Sequence, residues 1–344
     1  INGGMDLAQR GTSQASAGAG YHTCDRWRIG TGGSQVFTMS QDTDVPSAQG
    51  FAKSLKLACT TANASLSAGD QFHVGTRFEG QNLQFLKYGT SSAETMTLSF
   101  WVKSNKTGTL TVRAYSNDAT RSLSQYYTIS SANTWEKKTI TFNGDTVGTF
   151  DNDNALSMQL DWFMLFGSNY TSGTASNDWR SYVAANDGVN HTVNLADSTS
   201  NYINITGVQL ETGQVASDFE FLPIDVNEER CRRYFQKSYT RGEYAGTATN
   251  SAMISTARIQ NTVSNRPTNV FFRPILRATP TMTIYSINGT SGSVSDLGTS
   301  TSHTRNETAN VAILSSMGMG YLTGVSGLTA GDGMGFHYTA DAEL

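Results

Sequence analysis

The stretch Met96-Thr-Leu-Ser-Phe-Trp-Val-Lys103 largely alternates apolar and polar side chains. A period of two is typical of a β-strand that turns one side to a hydrophobic core and the other to solvent. The same alternation occurs at Ser54-Leu-Lys-Leu-Ala-Cys-Thr60 and at Thr109-Leu-Thr-Val-Arg-Ala-Tyr115. These stretches predict strands and indicate an all-β fold.

Further strands are predicted at residues 126–129, 135–142, 156–166, 191–195 and 202–210, with Gly, Asn and Asp at the turns between them. This many short strands within about 200 residues predicts a jelly-roll β-sandwich. We expect the opening segment, residues 2–9, to pair near the closing strand at 202–210. Because Trp101, Trp135 and Trp162 lie within the strand pattern, we expect them and Trp27 to be core residues.

The composition supports this fold and gives no sign of several other functions. Only 15% of the 344 residues are charged, against about 25% in ordinary globular proteins. The formal net charge of −4 favours neither nucleic acid nor an anionic membrane as a partner. No stretch is long and apolar enough to predict insertion into a bilayer. The three cysteines, Cys24, Cys59 and Cys231, form no metal-binding pattern, and we expect free thiols.

The pattern changes at Asp225-Val-Asn-Glu-Glu-Arg-Cys-Arg-Arg-Tyr-Phe235, the most highly charged stretch of the chain. Acidic residues at its start and arginines near its end predict a short helix. Short alternating stretches resume after it, among them residues 253–258. We therefore predict a jelly roll over residues 1–222, a helical linker over 223–235, and a smaller β-sandwich or barrel over 236–344.

Several segments, in order, resemble a module of tailed-phage virion proteins. They include NGGMDLAQRGTS at residues 2–13, GYHTCDRWRIG at 20–30, TLSFWVKSNKTGT at 97–109 and GVQLETGQVASDFEFLP at 207–223. The likeness extends over nearly the whole chain, although Met5 and Ala8 stand where the module usually has larger aromatic residues. The resemblance implies a jelly roll like that of carbohydrate-binding modules.

The resemblance also implies a function. It indicates a non-catalytic structural component of a bacteriophage particle, a tail-fibre, receptor-binding or adhesion protein that recognises host surface glycans. The alternative is a capsid decoration or head-fibre protein that stabilises the head, and a glycan-degrading enzyme is a remote third. The implied partners are other virion proteins, a host glycan and two further copies in a homotrimer. With no apolar leader, the chain is expected to assemble into the virion in the host cytoplasm.

One loop carries aromatic residues without a strand pattern. Residues 167–182 are rich in Gly, Ser and Thr yet include five candidates for glycan contact. These are Tyr170, Asn177, Trp179, Arg180 and Tyr182. Flat rings beside amide and charged groups are typical of shallow sugar sites. The alternatives are that the rings contact a neighbouring subunit or cover the sandwich.

Other chemical signals are weak. Asp151 and Asp153 provide oxygen ligands for a structural calcium ion, but the Gly and closing Glu of a calcium-binding loop are missing, which favours a simple turn. Glu79 and Asp161 are interpreted either as the two catalytic carboxylates of a glycosidase or as exposed carboxylates on strands. No motif for nucleophilic or metal catalysis occurs, and we expect no enzyme. The stretch Met317-Gly-Met-Gly-Tyr321 is interpreted either as a subunit interface or as a flexible turn.

Overall fold

The computed structural model describes residues 1–256, 266–298, 305–325, 327–328 and 331–344. Two residues of the predicted strand at 253–258, Ala257 and Arg258, lie outside these ranges. The chain divides into two compact units, one of Ile1–Ile224 with Leu344 and one of Asp225–Glu343.

The first unit is a two-layer sandwich of antiparallel strands. In chain order the strands are β1 (Ser13–Gln14), β2 (Gly20–Tyr21), β3 (Arg28–Gly32), β4 (Val36–Asp42), β5 (Ser54–Thr61), β6 (Gln71–Glu79), β7 (Met96–Ser104), β8 (Gly108–Ser116), β9 (Arg121–Ile129), β10 (Glu136–Phe142), β11 (Leu156–Phe166), β12 (Arg180–Ser181) and β13 (Tyr202–Thr212). Short 3-10 helices lie at Gly80–Asn82, Gln84–Leu86, Ser168–Tyr170 and Ala184–Asn186.

The chain crosses repeatedly between the two layers. The first sheet has the order β1-β4-β5-β13-β7-β10, and the second has the order β12-β9-β8-β11-β6-β3-β2. This all-β jelly-roll sandwich is the predicted fold.

Alternation along β7 builds the core between the sheets. Phe100 and Val102 are fully buried on its inner side. The Phe100 ring meets the ring of Trp162 from the second sheet edge-on, with centroids 5.7 Å apart, and Trp27 packs on Trp162 at 5.4 Å. Burying each such ring contributes about 2–3 kcal/mol. The prediction that Trp27 and Trp162 are core residues is confirmed.

Two predicted strands of the first unit have a different form. Residues 191–195 are irregular, although their backbone still bonds to neighbours, as where the N–H of Leu195 donates to the carbonyl of Met164 at 3.0 Å. Residues 2–9 lie beside β13, where the N–H of Val208 donates to the carbonyl of Gly3 at 3.0 Å. They form turns and not a strand because the Asn2 side chain bonds to the backbone of Leu7.

A bulge in β13 requires glycine at position 207. The pairing with β7 shifts register between Thr206 and Gln209, and Gly207 has a φ of 62°. A Cβ at this position would lie 2.5 Å from the Phe51 ring and 3.1 Å from the Trp101 ring. Any side chain would therefore be strained and would displace both rings.

The second unit contains the helix and the remaining strands. The helix α1 spans Ile224–Arg232, as the charged stretch predicts. The strands are β14 (Phe235–Lys237), β15 (Ile254–Thr256), β16 (Arg266–Phe271), β17 (Thr281–Tyr285), β18 (Ser293–Asp296), β19 (Arg305–Thr308), β20 (Asn310–Ser315), β21 (Gly318–Thr323) and β22 (Met334–Asp341).

Two sheets enclose the core of this unit. β22 pairs with β14, β15, β17 and β18, while β16, β21 and β20 form a separate three-stranded sheet. Among the described residues, no helix has the length and apolar character needed to cross a membrane. Cys24, Cys59 and Cys231 are buried, and none of these three thiols is in a disulfide.

Candidate functional site

The structure separates the five loop residues predicted to contact glycan, and it places Trp179 in the core. This side chain is only 7% exposed and packs within the sandwich. Its Nε1 donates a hydrogen bond to the carbonyl oxygen of Asn143 at 2.8 Å, and its ring meets the Tyr88 ring edge-on at 5.7 Å. Three interpretations of the loop rings were open: a sugar site, a subunit contact and a cover for the sandwich. The position of Trp179 agrees with the third.

Asn177 and Arg180 lie at the edge of the second sheet. Asn177 is exposed, and its carbonyl accepts a hydrogen bond from the Asn143 side chain at 3.0 Å. Arg180 lies in β12 opposite Ser122 of β9, and its guanidinium donates to the carbonyl of Thr174. The backbone of this loop is therefore anchored to the sheet.

Tyr170 and Tyr182 lie partly buried on the outer side of the second sheet. The Tyr170 ring packs on Phe166 with centroids 5.5 Å apart. The Tyr182 ring meets Tyr115 edge-on at 5.1 Å. Glycan binding by Tyr170, Asn177, Arg180 and Tyr182 stays a prediction.

A buried group of charged side chains, which we call the Arg113 cluster, holds the loop on this sheet. It comprises Arg113, Asp161, Asp187 and His73, each at most 8% exposed. Arg113 pairs with Asp161 at 2.8 Å and with Asp187 at 2.6 Å, and His73 Nε2 lies 3.6 Å from Asp161. Asp187 also accepts a hydrogen bond from the Tyr182 hydroxyl at 3.3 Å. Because the Asp187 carboxylate accepts from Tyr182 at the end of the loop and pairs with Arg113, these contacts attach the end of the loop to β8 and β11.

Burial controls protonation within the Arg113 cluster. It lowers the pKa of His73 to about 4 although Asp161 opposes the shift, so the ring is neutral at neutral pH. Burial raises the pKa of Asp187 against the attraction of Arg113. Burial would lower the pKa of Arg113, but the two carboxylates outweigh it and raise the pKa. A buried network of this kind makes the loss of any one member costly.

The two carboxylates weighed as a glycosidase pair are widely separated. Asp161 lies opposite Gly75, whereas Glu79 lies opposite Leu156. Four residues of β6 therefore separate Glu79 from the position of Asp161, about 13 Å at about 3.3 Å per residue. Glycosidases place their two carboxyl groups roughly 5–9.5 Å apart. The backbone positions of Glu79 and Asp161 are thus farther apart along the strand than that spacing.

The candidate calcium ligands Asp151 and Asp153 lie in the exposed turn before β11. The Oδ1 of Asp153 accepts a hydrogen bond from the N–H of Ala155 at 2.8 Å, as in an Asx turn. The N–H of Asp151 donates to the Asp118 carboxylate at 2.9 Å. Throughout the described ranges, no three His, Cys, Asp or Glu side chains are grouped so that they could hold a metal ion. Calcium binding here stays a prediction.

Trp101 and Trp135 lie on the outer side of the first sheet, so the prediction that both are core residues is wrong. Phe100 and Val102 occupy the core side of β7. Trp101 therefore shares the outer side with Lys103. Because Val102 pairs with the first residue of β10, Trp135 lies directly before that strand and beside Lys103. Both indoles are partly buried.

We call this surface the tryptophan face. It consists of Trp101, Trp135 and Tyr202 with the polar residues Asp42, Asp44, Lys56, Lys103 and Asn133. Trp135 donates its Nε1 hydrogen bond to the Asp44 carboxylate at 2.9 Å. Lys103 pairs with the other Asp44 oxygen at 2.7 Å. The edge of the Trp135 ring is thus held in one orientation.

Tyr202 is held in a similar way at the other end of the tryptophan face. Its hydroxyl donates to the side-chain oxygen of Asn133 at 2.7 Å. The Lys56 ammonium lies 5.3 Å from its ring centroid and pairs with Asp42 at 3.1 Å. The rings of Trp135 and Tyr202 are therefore each held in one orientation by a hydrogen bond.

The acidic groups of the tryptophan face are ionised at neutral pH. Burial alone would raise the pKa of Asp44, but hydrogen bonds from Lys103 and Trp135 outweigh it and hold the pKa below 3.8. The pKa of Asp42 is lowered in the same way, because the N–H of Asp44 and the Lys56 ammonium outweigh its burial. The face thus combines flat rings with strong hydrogen-bond donors and acceptors.

The sequence matches no family model and no curated protein. Among solved structures, the chain is similar to the enzymatically active domain of tailspike protein 4 from bacteriophage CBA120, with 16% identity and a TM-score of 0.32 over 55% of this chain. The match covers 19% of that tailspike chain, about a fifth of its length.

Two carbohydrate-binding modules show comparable similarity. One belongs to family 4, with 15% identity and a TM-score of 0.29 over 55% of this chain and 95% of the module. The other is the family 11 module of the cellulosomal cellulase Lic26A-Cel5E of Clostridium thermocellum. It has 10% identity and a TM-score of 0.30 over 59% of this chain and 97% of the module. Similarities of this size do not assign a function.

Proposed function

We propose that the first unit binds carbohydrate through the tryptophan face. The observation that carries this proposal is the placement of Trp101, Trp135 and Tyr202 on the solvent side of a sheet, beside ionised polar groups. Sugars have apolar C–H faces that stack on aromatic rings and hydroxyls that hydrogen-bond to charged side chains. Because Trp135 and Tyr202 are already held by hydrogen bonds, binding loses little side-chain entropy.

The charges of the face favour an uncharged glycan. Asp42 and Asp44 are paired with Lys56 and Lys103, so these two negative and two positive groups balance. The exposed Lys137, opposite Trp101, has the Glu211 carboxylate as its electrostatic neighbour. A strongly anionic or cationic polymer would gain no net attraction from this arrangement. Neutral hexose or pentose chains are the class that fits the face.

We infer in addition that the chain is a non-catalytic component of a phage particle, with host attachment as its role. The resemblance of its ordered motifs to tailed-phage virion proteins supports this inference. The partners are then other virion proteins and a glycan of the host surface, and the location is the virion. Capsid decoration is the alternative position on the particle.

Electrophoresis of the purified chain through native gels tests the glycan site. The gels contain a neutral β-glucan, a xylan, a mannan or hyaluronan as an acidic comparison. We expect a neutral polymer to retard the chain and Trp135→Ala to abolish most of the retardation. Tyr182→Ala, on the opposite side of the sandwich, serves as the comparison and should be retarded like the parent. Retardation that depends on Tyr182 and not on Trp135 would place the site at the loop and overturn this proposal, as would no retardation by any neutral polymer.

Two further measurements test the virion role. Immunogold labelling of intact particles should mark the tail, whereas labelling over the head would establish the decoration alternative. Particles without label would overturn the virion role. Release of reducing ends from any of the same polysaccharides would overturn the non-catalytic assignment.

A further inference from the structure

The first unit carries a second group of aromatic rings beside the tryptophan face. It consists of Phe51, Phe219 and Phe221, which we call the phenylalanine trio. The Phe51 ring centroid lies 5.1 Å from each of the other two, and those two lie 4.9 Å apart. Phe51 is only 9% exposed, whereas Phe221 is 54% exposed. The trio therefore presents one open ring that rests on packed aromatic neighbours.

Hydrogen bonds hold the trio on the same side of the first sheet as Trp101. Gln209 of β13 lies opposite Ser99 of β7, which is two residues from Trp101 and so shares its side. The Oε1 of Gln209 accepts a hydrogen bond from the N–H of Glu220 at 2.8 Å. Its Nε2 donates to the carbonyl of Asp218 at 3.1 Å. Residues 218–220 are thus anchored to the outer side of β13, and they bring the trio with them.

The trio meets the tryptophan face at the glycine of the β13 bulge. The rings of Phe51 and Trp101 both lie against Gly207, 2.5 Å and 3.1 Å from the position that a Cβ would occupy. Because this position has no side chain, nothing of residue 207 separates the two rings. Phe51 therefore connects Trp101 to Phe221, and the two groups of rings form one continuous surface.

Strand geometry gives the length of this joined surface. Tyr202 and Gly207 are five residues apart on β13, which is about 16 Å at about 3.3 Å per residue. A pyranose ring, built from bonds of about 1.5 Å, spans about 5 Å with its substituents. One sugar therefore cannot touch both Tyr202 and the trio. A row of about three to four sugars covers the distance.

We propose that the ligand is a linear glycan chain and that Phe221 is the contact residue for one end of the bound segment. This inference rests on the carbohydrate site of the proposed function and adds the form of its ligand. The hydrogen-bonding groups of the tryptophan face surround Trp135 and Tyr202, where they orient the sugars. The Phe221 ring offers only stacking on an apolar C–H face. It therefore adds affinity for chains long enough to reach it.

Isothermal titration calorimetry of the full chain tests the proposal with gluco-, xylo- and manno-oligosaccharides, each from the monosaccharide to the hexasaccharide. Affinity of the parent should rise with length up to about the tetrasaccharide and then level off. Phe221→Ala should weaken hexasaccharide binding about fivefold and leave disaccharide binding unchanged. Phe85→Ala is the matched control, because Phe85 is a phenylalanine of the same unit that is 57% exposed. It should bind every length like the parent.

Phe221→Trp keeps a flat ring and should bind the hexasaccharide at least as tightly as the parent, and circular dichroism establishes that each variant is folded. Equal affinity for the monosaccharide and the hexasaccharide overturns the inference. So does a folded Phe221→Ala that binds the hexasaccharide like the parent while Trp135→Ala does not, and the tryptophan face then remains the site. A parent chain that binds neither oligosaccharide nor polymer overturns the proposed function itself, and this inference with it.

Discussion

Replacing Trp179 by alanine should destabilise the first unit and leave carbohydrate binding unchanged. The indole fills the end of the sandwich against Tyr88 and donates to the Asn143 carbonyl. Removing a buried aromatic ring costs about 3–5 kcal/mol. For a unit of this size each kcal/mol lowers the melting temperature by about 2–4 °C. We therefore expect the transition of the first unit to fall by about 10 °C.

Trp135→Ala should have the opposite pair of effects. This ring is outside the core, so its loss should cost about 1 kcal/mol or less of folding free energy. If it stacks on a sugar, the loss of about 2 kcal/mol of binding energy weakens affinity about 30-fold. Calorimetry and the native gels, applied to the same preparations, measure both quantities.

Trp179→Phe is the matched control for the core position. It keeps most of the ring and loses the N–H, so it should cost about 1 kcal/mol. The reasoning fails if Trp179→Ala melts like the parent while losing carbohydrate binding. That result would return the sugar site to the loop, where the sequence pattern suggested it.

Three further perturbations test other parts of the first unit. Asp161→Asn removes one of the two carboxylate charges that pair with the buried Arg113 guanidinium, so it should reduce the free energy of unfolding by about 3 kcal/mol in a denaturant titration; an unchanged midpoint would contradict the proposed network. Burial lowers the pKa values of His73 and His191 from 6.5 to about 4. Each neutral ring therefore contributes up to about 3 kcal/mol to the free energy of unfolding. This contribution is fully present above pH 6.5 and is lost as the pH falls towards 4. Melting temperatures across this range should fall with acid, and less so for His191→Gln. Removal of calcium with EDTA should leave the melting temperature unchanged, because the Asp153 carboxylate already accepts a backbone hydrogen bond; a rise on adding calcium would instead establish the site.

The sequence predicts seven of the thirteen strands of the first unit, β5, β7 to β11 and β13, and it misplaces two of the five tryptophans, Trp101 and Trp135. Trp101 stands an even number of residues from Lys103 and an odd number from Phe100, so the alternation itself assigns it to the outer side. The hydrophobic character of the ring suggested the core and outweighed the pattern. Trp135 is misplaced for the same reason.

Trp179 could not be placed from sequence. It lies in a segment without periodicity, and its burial depends on the long-range approach of Tyr88 and Asn143. β6 escaped prediction for a related cause. On its outer side β6 carries the polar residue His73 and the charged residue Arg77. These side chains suggest a side exposed to solvent, although the loop covers the outer side of β6 and the core covers its inner side.

The position of β13 has a consequence for synthesis on the ribosome. This strand is the last of its unit to be made, yet it lies between β5 and β7 at the middle of the first sheet. Until residue 212 has left the ribosome, the nascent chain has two unpaired inner edges that can join strands of other molecules. Folding of the sandwich must therefore wait for its final segment. Nascent chains stalled before residue 202 should remain sensitive to protease, and chains released at that length should aggregate; a protease-resistant stalled intermediate would show that the sheet closes by another route.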